Sequence, residues 1–223
     1  LVFEPDGRAA ETLAVTPPGA PVAAFDLFVE YDPAVSADRT YWFATTRGLV
    51  TYDPRGRTWT VNPLGDDLAA IALDRPRAKV YVVTVGASPT GGRLLRLRYT
   101  SARSGAPERT WSGSILQPGD LDHPESLALG ADARAYLLDR GARVQRFRLD
   151  GTGVGQLDRL NPVAVDAGPD GTLYLTDGGQ VQAFAAGVDW STPRPEPVWT
   201  VEVAPTGDDA NAVGLVVDPA GGE

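Results

Sequence analysis

Short apolar runs alternate along the whole chain with polar breaks that contain Gly, Pro and Asp. The runs are rich in Val, Leu, Tyr, Phe, Trp and Thr, most of which favour a half-buried β-strand. The breaks read Asp-Pro, Pro-Asp-Gly, Asp-Gly and Gly-Gly, and they supply the turn conformations that hairpins require. No stretch of about ten residues keeps a helical period without a Gly or Pro. The pattern therefore predicts an all-β chain.

The predicted strands recur in a fixed order of four types, and aromatic residues mark three of these types. The second type has an early tyrosine: Tyr41, Tyr81, Tyr136 and Tyr174. The third type is anchored by Phe3, Tyr52, Tyr99, Phe147 and Phe184. The fourth type carries Trp59, Trp111 and Trp199. Four antiparallel strands in about 45 residues are typical of one blade of a β-propeller. A solenoid is the rival interpretation, whereas an ordinary β-sandwich fits the strand spacing but not the fixed order.

The phase of the repeat predicts a single domain over residues 1–223. Complete blades are predicted at about 21–65, 66–113, 114–159 and 160–208. The chain begins on a strand of the third type and ends on one of the first type, so we expect residues 1–20 and 209–223 to share an incomplete closing blade. The prediction is five blades, or six if the chain is part of a longer propeller. The absence of Met at position 1 leads us to expect a processed chain or such a part.

The charge of the chain bears on its partners. It has 29 acidic and 20 basic residues, and its net charge is −9. A surface of this sign repels phosphate backbones and anionic lipids, so we expect no nucleic-acid partner and no membrane-surface function. No apolar run approaches the roughly 20 residues that a membrane span requires, so we expect no membrane insertion.

Missing residue types narrow the chemistry further. The chain has no Cys and one His, which excludes disulfides, thiol catalysis and a metal site of several histidines. Arg, Ala, Gly and Pro are frequent and Lys79 is the single lysine, which indicates a GC-rich bacterial genome. We expect an extracytoplasmic location, periplasmic, secreted or at the cell surface, with the cytoplasm as the alternative.

Two segments, Pro124–Asp139 and Asn161–Asp177, resemble the repeat of NHL-type and gluconolactonase-like propellers. The resemblance implies a propeller of the six-bladed type. Lactonase-type members hold a divalent ion in the central channel with a Glu, Asn residues and an Asp. By this resemblance Asn161 and Asp177 would be metal ligands, with Asp139 as the equivalent one blade earlier, and the ion would be Ca²⁺. The early Glu of that family has no matching context here.

The acidic segment that surrounds the single histidine is the densest polar group of the chain. His123 and Glu125 are the candidate catalytic pair, in which a carboxylate orients the histidine as a general base. The alternative is a solvated loop whose shape is set by Pro118 and Pro124.

Loops that join consecutive blades, or the second strand of a blade to the third, form the expected functional face. Every Asn of the chain lies in a predicted blade-joining loop: Asn62, Asn161 and Asn211. Asn oxygens suit Ca²⁺, although Asn also starts turns by bonding its own backbone. Strand alternation puts Arg96 and Arg98 on one face, which we expect to meet solvent or a partner.

Three functions are compatible with this pattern. The leading hypothesis is a non-catalytic binding or scaffold module that recognises a protein or surface partner through its loop face. The alternative is a Ca²⁺-dependent lactonase- or esterase-like hydrolase with a channel metal. The second alternative is a sugar-binding lectin that uses the repeated Trp positions, which we otherwise interpret as packing between blades.

Overall fold

A computed structural model describes most of the chain in segments. These are residues 2–3, 9–11, 24–31, 39–53, 56–74, 77–85, 92–100, 103–112, 121, 124–139, 143–150, 153–158, 162–177, 179–189 and 195–202. Of the predicted closing blade, residues 209–223 lie outside these segments.

Eighteen strands occupy the described segments, and sixteen of them form four sheets of four strands each. Blade 1 consists of β3 (Ala24–Tyr31), β4 (Arg39–Thr45), β5 (Gly48–Asp53) and β6 (Thr58–Asn62). Blade 2 consists of β7 (Asp67–Asp74), β8 (Lys79–Val85), β9 (Arg93–Thr100) and β10 (Arg103–Ser112). Blade 3 consists of β11 (Pro124–Gly130), β12 (Arg134–Asp139), β13 (Arg143–Arg148) and β14 (Gly153–Asp158). Blade 4 consists of β15 (Pro162–Ala167), β16 (Leu173–Asp177), β17 (Gln180–Phe184) and β18 (Trp199–Glu202). The remaining pair is β1 (Val2–Phe3) and β2 (Ala9–Glu11).

Every blade is an antiparallel meander in which sequence neighbours are also sheet neighbours. The first strand of each blade contacts the first strand of the next, so β3 lies against β7, β7 against β11, and β11 against β15. These first strands are therefore the inner strands, and the fourth strands are the outer ones. The chain is a β-propeller, which confirms the predicted fold class. Within the described ranges no helix is long and apolar enough to cross a membrane.

The core lies between blades, because each sheet is apolar on both faces. In β8, Val80 and Val82 pack toward blade 1, whereas Tyr81 and Val83 pack toward blade 3. A third cluster joins blades 3 and 4. Burying one such side chain stabilises the fold by about 1.5–3 kcal/mol. The two-sided apolar pattern of the sequence thus becomes a stack of sheets rather than one sheet with a solvated face.

One expectation about basic residues was wrong. Arg96 does not face solvent, because alternation along β9 places it on the same face as Leu94, toward blade 3. Its Nη1 donates a hydrogen bond of 3.1 Å to the carbonyl oxygen of Leu149 in blade 3. Arg98, further along the strand, is exposed. Arg96 therefore links two blades.

Candidate functional site

Two of the predicted ligand residues occupy equivalent places in consecutive blades. Asp139 ends β12 and lies opposite Pro124 on the inner strand, and Asp177 ends β16 opposite Pro162. The side chain of Asp177 is outside the described part of the structure, as are the whole residues Asn161 and His123. Convergence of the predicted ligands on one ion therefore stays a prediction.

Asp139 is fully buried, and its carboxylate is balanced by an arginine. Its Oδ2 accepts hydrogen bonds from Arg143 Nε at 3.0 Å and Arg143 Nη2 at 2.6 Å. Gln145 Nε2 donates a third bond to the same oxygen at 3.0 Å. The Arg143 side chain is itself only 12% exposed. This bonding satisfies a buried charge, so a cation at Asp139 would compete with a guanidinium that is already in place.

The pairing registers reveal a repeated irregularity beside this position. In every complete blade the inner strand advances two residues while the second strand advances one, after the first pair in blades 1, 3 and 4 and after the second pair in blade 2. Each inner strand thus has a β-bulge, at Phe25, Ala69, Glu125 and Val163. Bulges redirect side chains and are common next to functional sites. Glu125, the candidate partner of His123, is the polar member of this set and is exposed.

The bulges identify equivalent residues that the sequence comparison missed. The residues paired just before each bulge are Thr45, Thr84, Asp139 and Asp177. A polar residue therefore occupies the place just before the bulge in all four blades. The early tyrosines align Thr84 with Ala44 instead, because Thr45 lies one residue further from Tyr41 than Thr84 lies from Tyr81. The pairing beside the bulge is the signal that reveals the set.

The two threonines of this set differ in their bonding. Thr45 Oγ1 donates to the Gly48 carbonyl oxygen at 2.7 Å and accepts from the Arg47 amide at 3.1 Å. Thr84 Oγ1 is buried and has no hydrogen-bond partner in the described structure. At this end of the propeller the residue before the bulge is therefore a threonine in blades 1 and 2 and an aspartate in blades 3 and 4.

The loop between blades 1 and 2 is the described example of the predicted functional face. It is fixed by an ion pair between Asp66 and Arg93 of β9, and Leu64 packs against the core of these two blades. Gly48 has φ of 105°, and a Cβ at this position would collide with the carbonyl oxygen of Asn62. Only Gly fits, so the turn in blade 1 and this loop are packed together.

Two tyrosines at equivalent places in blades 2 and 3 stay protonated at neutral pH. Burial raises the pKa of Tyr136 to about 12, and the negative charge of Asp132 adds to this effect. Tyr136 Oη donates a hydrogen bond of 3.0 Å to Asp132 Oδ2. Burial also raises the pKa of Tyr81. The Tyr136 hydroxyl is thus a hydrogen-bond donor, and neither hydroxyl is ionised as a general base would be.

No grouping for metal binding occurs among the described residues. In particular, no three His, Cys, Asp or Glu side chains of these segments come together at one point. Asp139, the one predicted ligand whose side chain is described, has the arginine as its counterion.

Searches of protein-family models and of curated proteins found no match. Solved structures do match, and those described here have sequence identities of 12–15%. A protein of unknown function from Bacteroides caccae has a TM-score of 0.55 and 12% identity, over 81% of this chain and 61% of that one. The WD40 repeats of RRP9 have a TM-score of 0.55 and 14% identity, over 74% of this chain and 49% of that one.

A third similar structure is a calcium-binding protein, regucalcin from Agrobacterium tumefaciens. Its TM-score is 0.53 at 15% identity, and the match covers 74% of this chain and 57% of that one. The chain thus spans between 49% and 61% of the length of the structures that it matches. Because WD40 and regucalcin propellers both match, the shared feature is the propeller fold and not one repeat family.

Proposed function

We propose that this propeller is a non-catalytic protein-binding module and that the outer strand of blade 4 is a docking edge. The observation that carries the proposal is the exposure of three apolar side chains on and beside β18. Val198 is 61% exposed, Trp199 43% and Val201 53%. They are the exposed large hydrophobic side chains of the described structure. Contiguous apolar exposure of this kind commonly marks a protein interaction site.

The exposure of Trp199 has a local cause in the neighbouring strand. Trp59 lies at the corresponding place in blade 1, opposite Tyr52, and its ring centroid is 4.5 Å from that of Tyr52. Trp199 lies opposite Ala183, which cannot cover an indole. Its ring contact is with Tyr174 at 5.9 Å. The ring contact of Trp59 is thus within its own blade, whereas the sequence predicted packing between blades, and Trp199 is exposed at the surface.

The strand geometry and the nearby charges indicate what kind of partner fits. β18 pairs with β17 on one side, and no described strand pairs with its other edge. An extended peptide can add to such an edge through main-chain hydrogen bonds. The charged residues of the described segment 195–202 are Glu196 and Glu202, both exposed. The partner is therefore an extended protein segment that alternates apolar and basic residues.

A labelled peptide of alternating Val and Lys, about nine residues long, tests this proposal by fluorescence anisotropy. A peptide of the same composition with a central Pro is the matched ligand, because Pro removes a ladder donor but keeps the charge. We expect binding of the first peptide, weak binding of the second, and loss of binding in Trp199→Ser/Val201→Ser. Thr200→Ser, on the opposite face of β18, is the control variant. Equal affinity for both peptides, or for the double variant and the parent, would overturn the proposal.

A second candidate is the Ca²⁺-dependent hydrolase, which the similarity to a calcium-binding regucalcin favours. Asp139 has the place and carboxylate that this hypothesis needs, but its bonds to Arg143 and Gln145 oppose it. Thermal unfolding in excess calcium and in excess chelator is the test. An ion that binds only the folded state adds about 2.7 kcal/mol at a hundredfold excess over Kd. Equal unfolding temperatures would remove this candidate.

A further inference from the structure

A cavity of about 440 Å³ lies at the end of the propeller opposite to the bulges. It is bounded where the inner strands of blades 2, 3 and 4 end and turn into their second strands. Leu73 and Asp74 end β7, Leu129 and Gly130 end β11, and Ala167 ends β15. Its volume is within the range of about 300–1,000 Å³ that is usual for small-molecule sites.

Most of the side chains described in the lining of this cavity are apolar. Leu73, Leu129, Leu149, Ala167 and Pro169 contribute apolar side chains. Among the described lining residues, the charged ones are Asp74 and Arg77. A ligand that fits these walls therefore has an apolar body and meets charge at a single point.

Asp74 and Arg77 have different roles at the charged edge of the cavity. The Asp74 side chain is 5% exposed, and its Oδ2 accepts a bond of 2.9 Å from Arg77 Nη1. Its Oδ1 accepts a bond of 3.3 Å from the Arg77 amide. The carboxylate is thus enclosed, and each of its oxygens accepts a bond from Arg77. It holds both the backbone and the guanidinium of Arg77 at the edge of the cavity.

The Arg77 side chain is 57% exposed, and its ion pair with Asp74 occupies one of five N–H donors. Its Nε and Nη2 groups lie on the side of the guanidinium away from that bond. A planar carboxylate accepts two parallel bonds from such a pair of donors. The whole chain carries a net charge of −9, which repels anions. Arg77 supplies the local positive charge that attracts an anion to this cavity.

From this arrangement we infer that the cavity binds a small apolar molecule that carries a carboxylate. The apolar body packs against Leu73, Leu129 and Leu149, and the carboxylate pairs with Arg77. Asp74 is a positioning residue that orients the guanidinium. The site is independent of β18, so it is a second binding function of the same propeller.

The test compares two rigid probes, 2-naphthoate and its neutral amide, 2-naphthamide, by isothermal titration calorimetry on the unmodified chain. The probes share an apolar body and differ in charge, so this comparison needs no variant. We expect 2-naphthoate to bind at least about tenfold more tightly than the amide. Equal affinities for the two probes, or no binding of 2-naphthoate, would overturn the inference.

Variants locate the site. Arg77→Gln keeps much of the side-chain length but not the charge, and it should weaken 2-naphthoate at least about tenfold with little effect on the amide. Ala131→Trp, at an exposed lining position, should block both probes. Arg148→Gln is the control, because Arg148 is exposed and does not line the cavity. Circular dichroism checks that each variant folds. Unchanged 2-naphthoate affinity in folded Arg77→Gln would place the binding elsewhere.

Discussion

Replacement of Asp139 by Asn tests whether this residue is a structural counterion. The substitution keeps the shape of the side chain but removes the charge that balances Arg143, which is 12% exposed. Removal of one partner from a buried ion pair costs about 3–5 kcal/mol. We expect about 3 kcal/mol, the lower end, because Arg143 keeps some contact with water. For a chain of this size that is a fall in Tm of about 6–12 °C.

Thermal and urea unfolding measure the cost, in calcium and in chelator. The double variant Asp139→Asn/Arg143→Gln should recover part of the loss, because it leaves no unpaired charge in the core. Arg134→Gln is the control, since its ion pair with Asp132 is partly exposed and is worth about 0–1 kcal/mol. A loss below about 1 kcal/mol in Asp139→Asn would refute the counterion reasoning. A parent stabilised by calcium, with a variant that is not, would show instead that Asp139 is a metal ligand.

Two further predictions concern aromatic residues. Trp42→Ala, at a fully buried site between blades 1 and 2, should lower the free energy of unfolding in urea by about 3–5 kcal/mol. Trp199→Ala should lower it by less than about 1 kcal/mol, because this side chain is exposed. Similar losses in the two variants would contradict the packing of Trp42 between blades. The pKa of Tyr136 is raised from 10.0 to about 12, so its stabilisation is complete below pH 10 and is lost as pH rises through 12. At about pH 11 the contribution of this tyrosine to stability should be about 1.4 kcal/mol smaller than it is below pH 10. Tyr136→Phe should remove this part of the dependence of stability on pH.

The aromatic residues that mark the strands in the sequence were sufficient to predict the fold class. An early Tyr in the second strand recurs because blades 1, 2 and 3 bury this position. Tyr81 and Tyr136 are indeed buried at matching places on β8 and β12. Local pattern predicts such features because strand alternation and turn chemistry are short-range properties.

The site depends on registers and contacts that alternation does not show. Thr45 lies four residues after Tyr41 and Asp139 lies three after Tyr136, so the equivalence of these two residues emerges from the strand pairing. Arg96 bonds a carbonyl oxygen 53 positions further along the chain. The exposure of Trp199 depends on Ala183 across the strand pair. The Asp139–Arg143 pair had a signal, since both residues flank one short hairpin turn.

Hydrogen–deuterium exchange with and without the alternating Val–Lys peptide tests the docking edge most directly. The account predicts slower exchange of main-chain amides within β18, residues Trp199–Glu202, when the peptide is present. The Pro-interrupted peptide should leave these amides unchanged. Unchanged exchange in β18 at saturating peptide, or protection confined to other blades, would contradict the claim that this strand is where the propeller binds its partner.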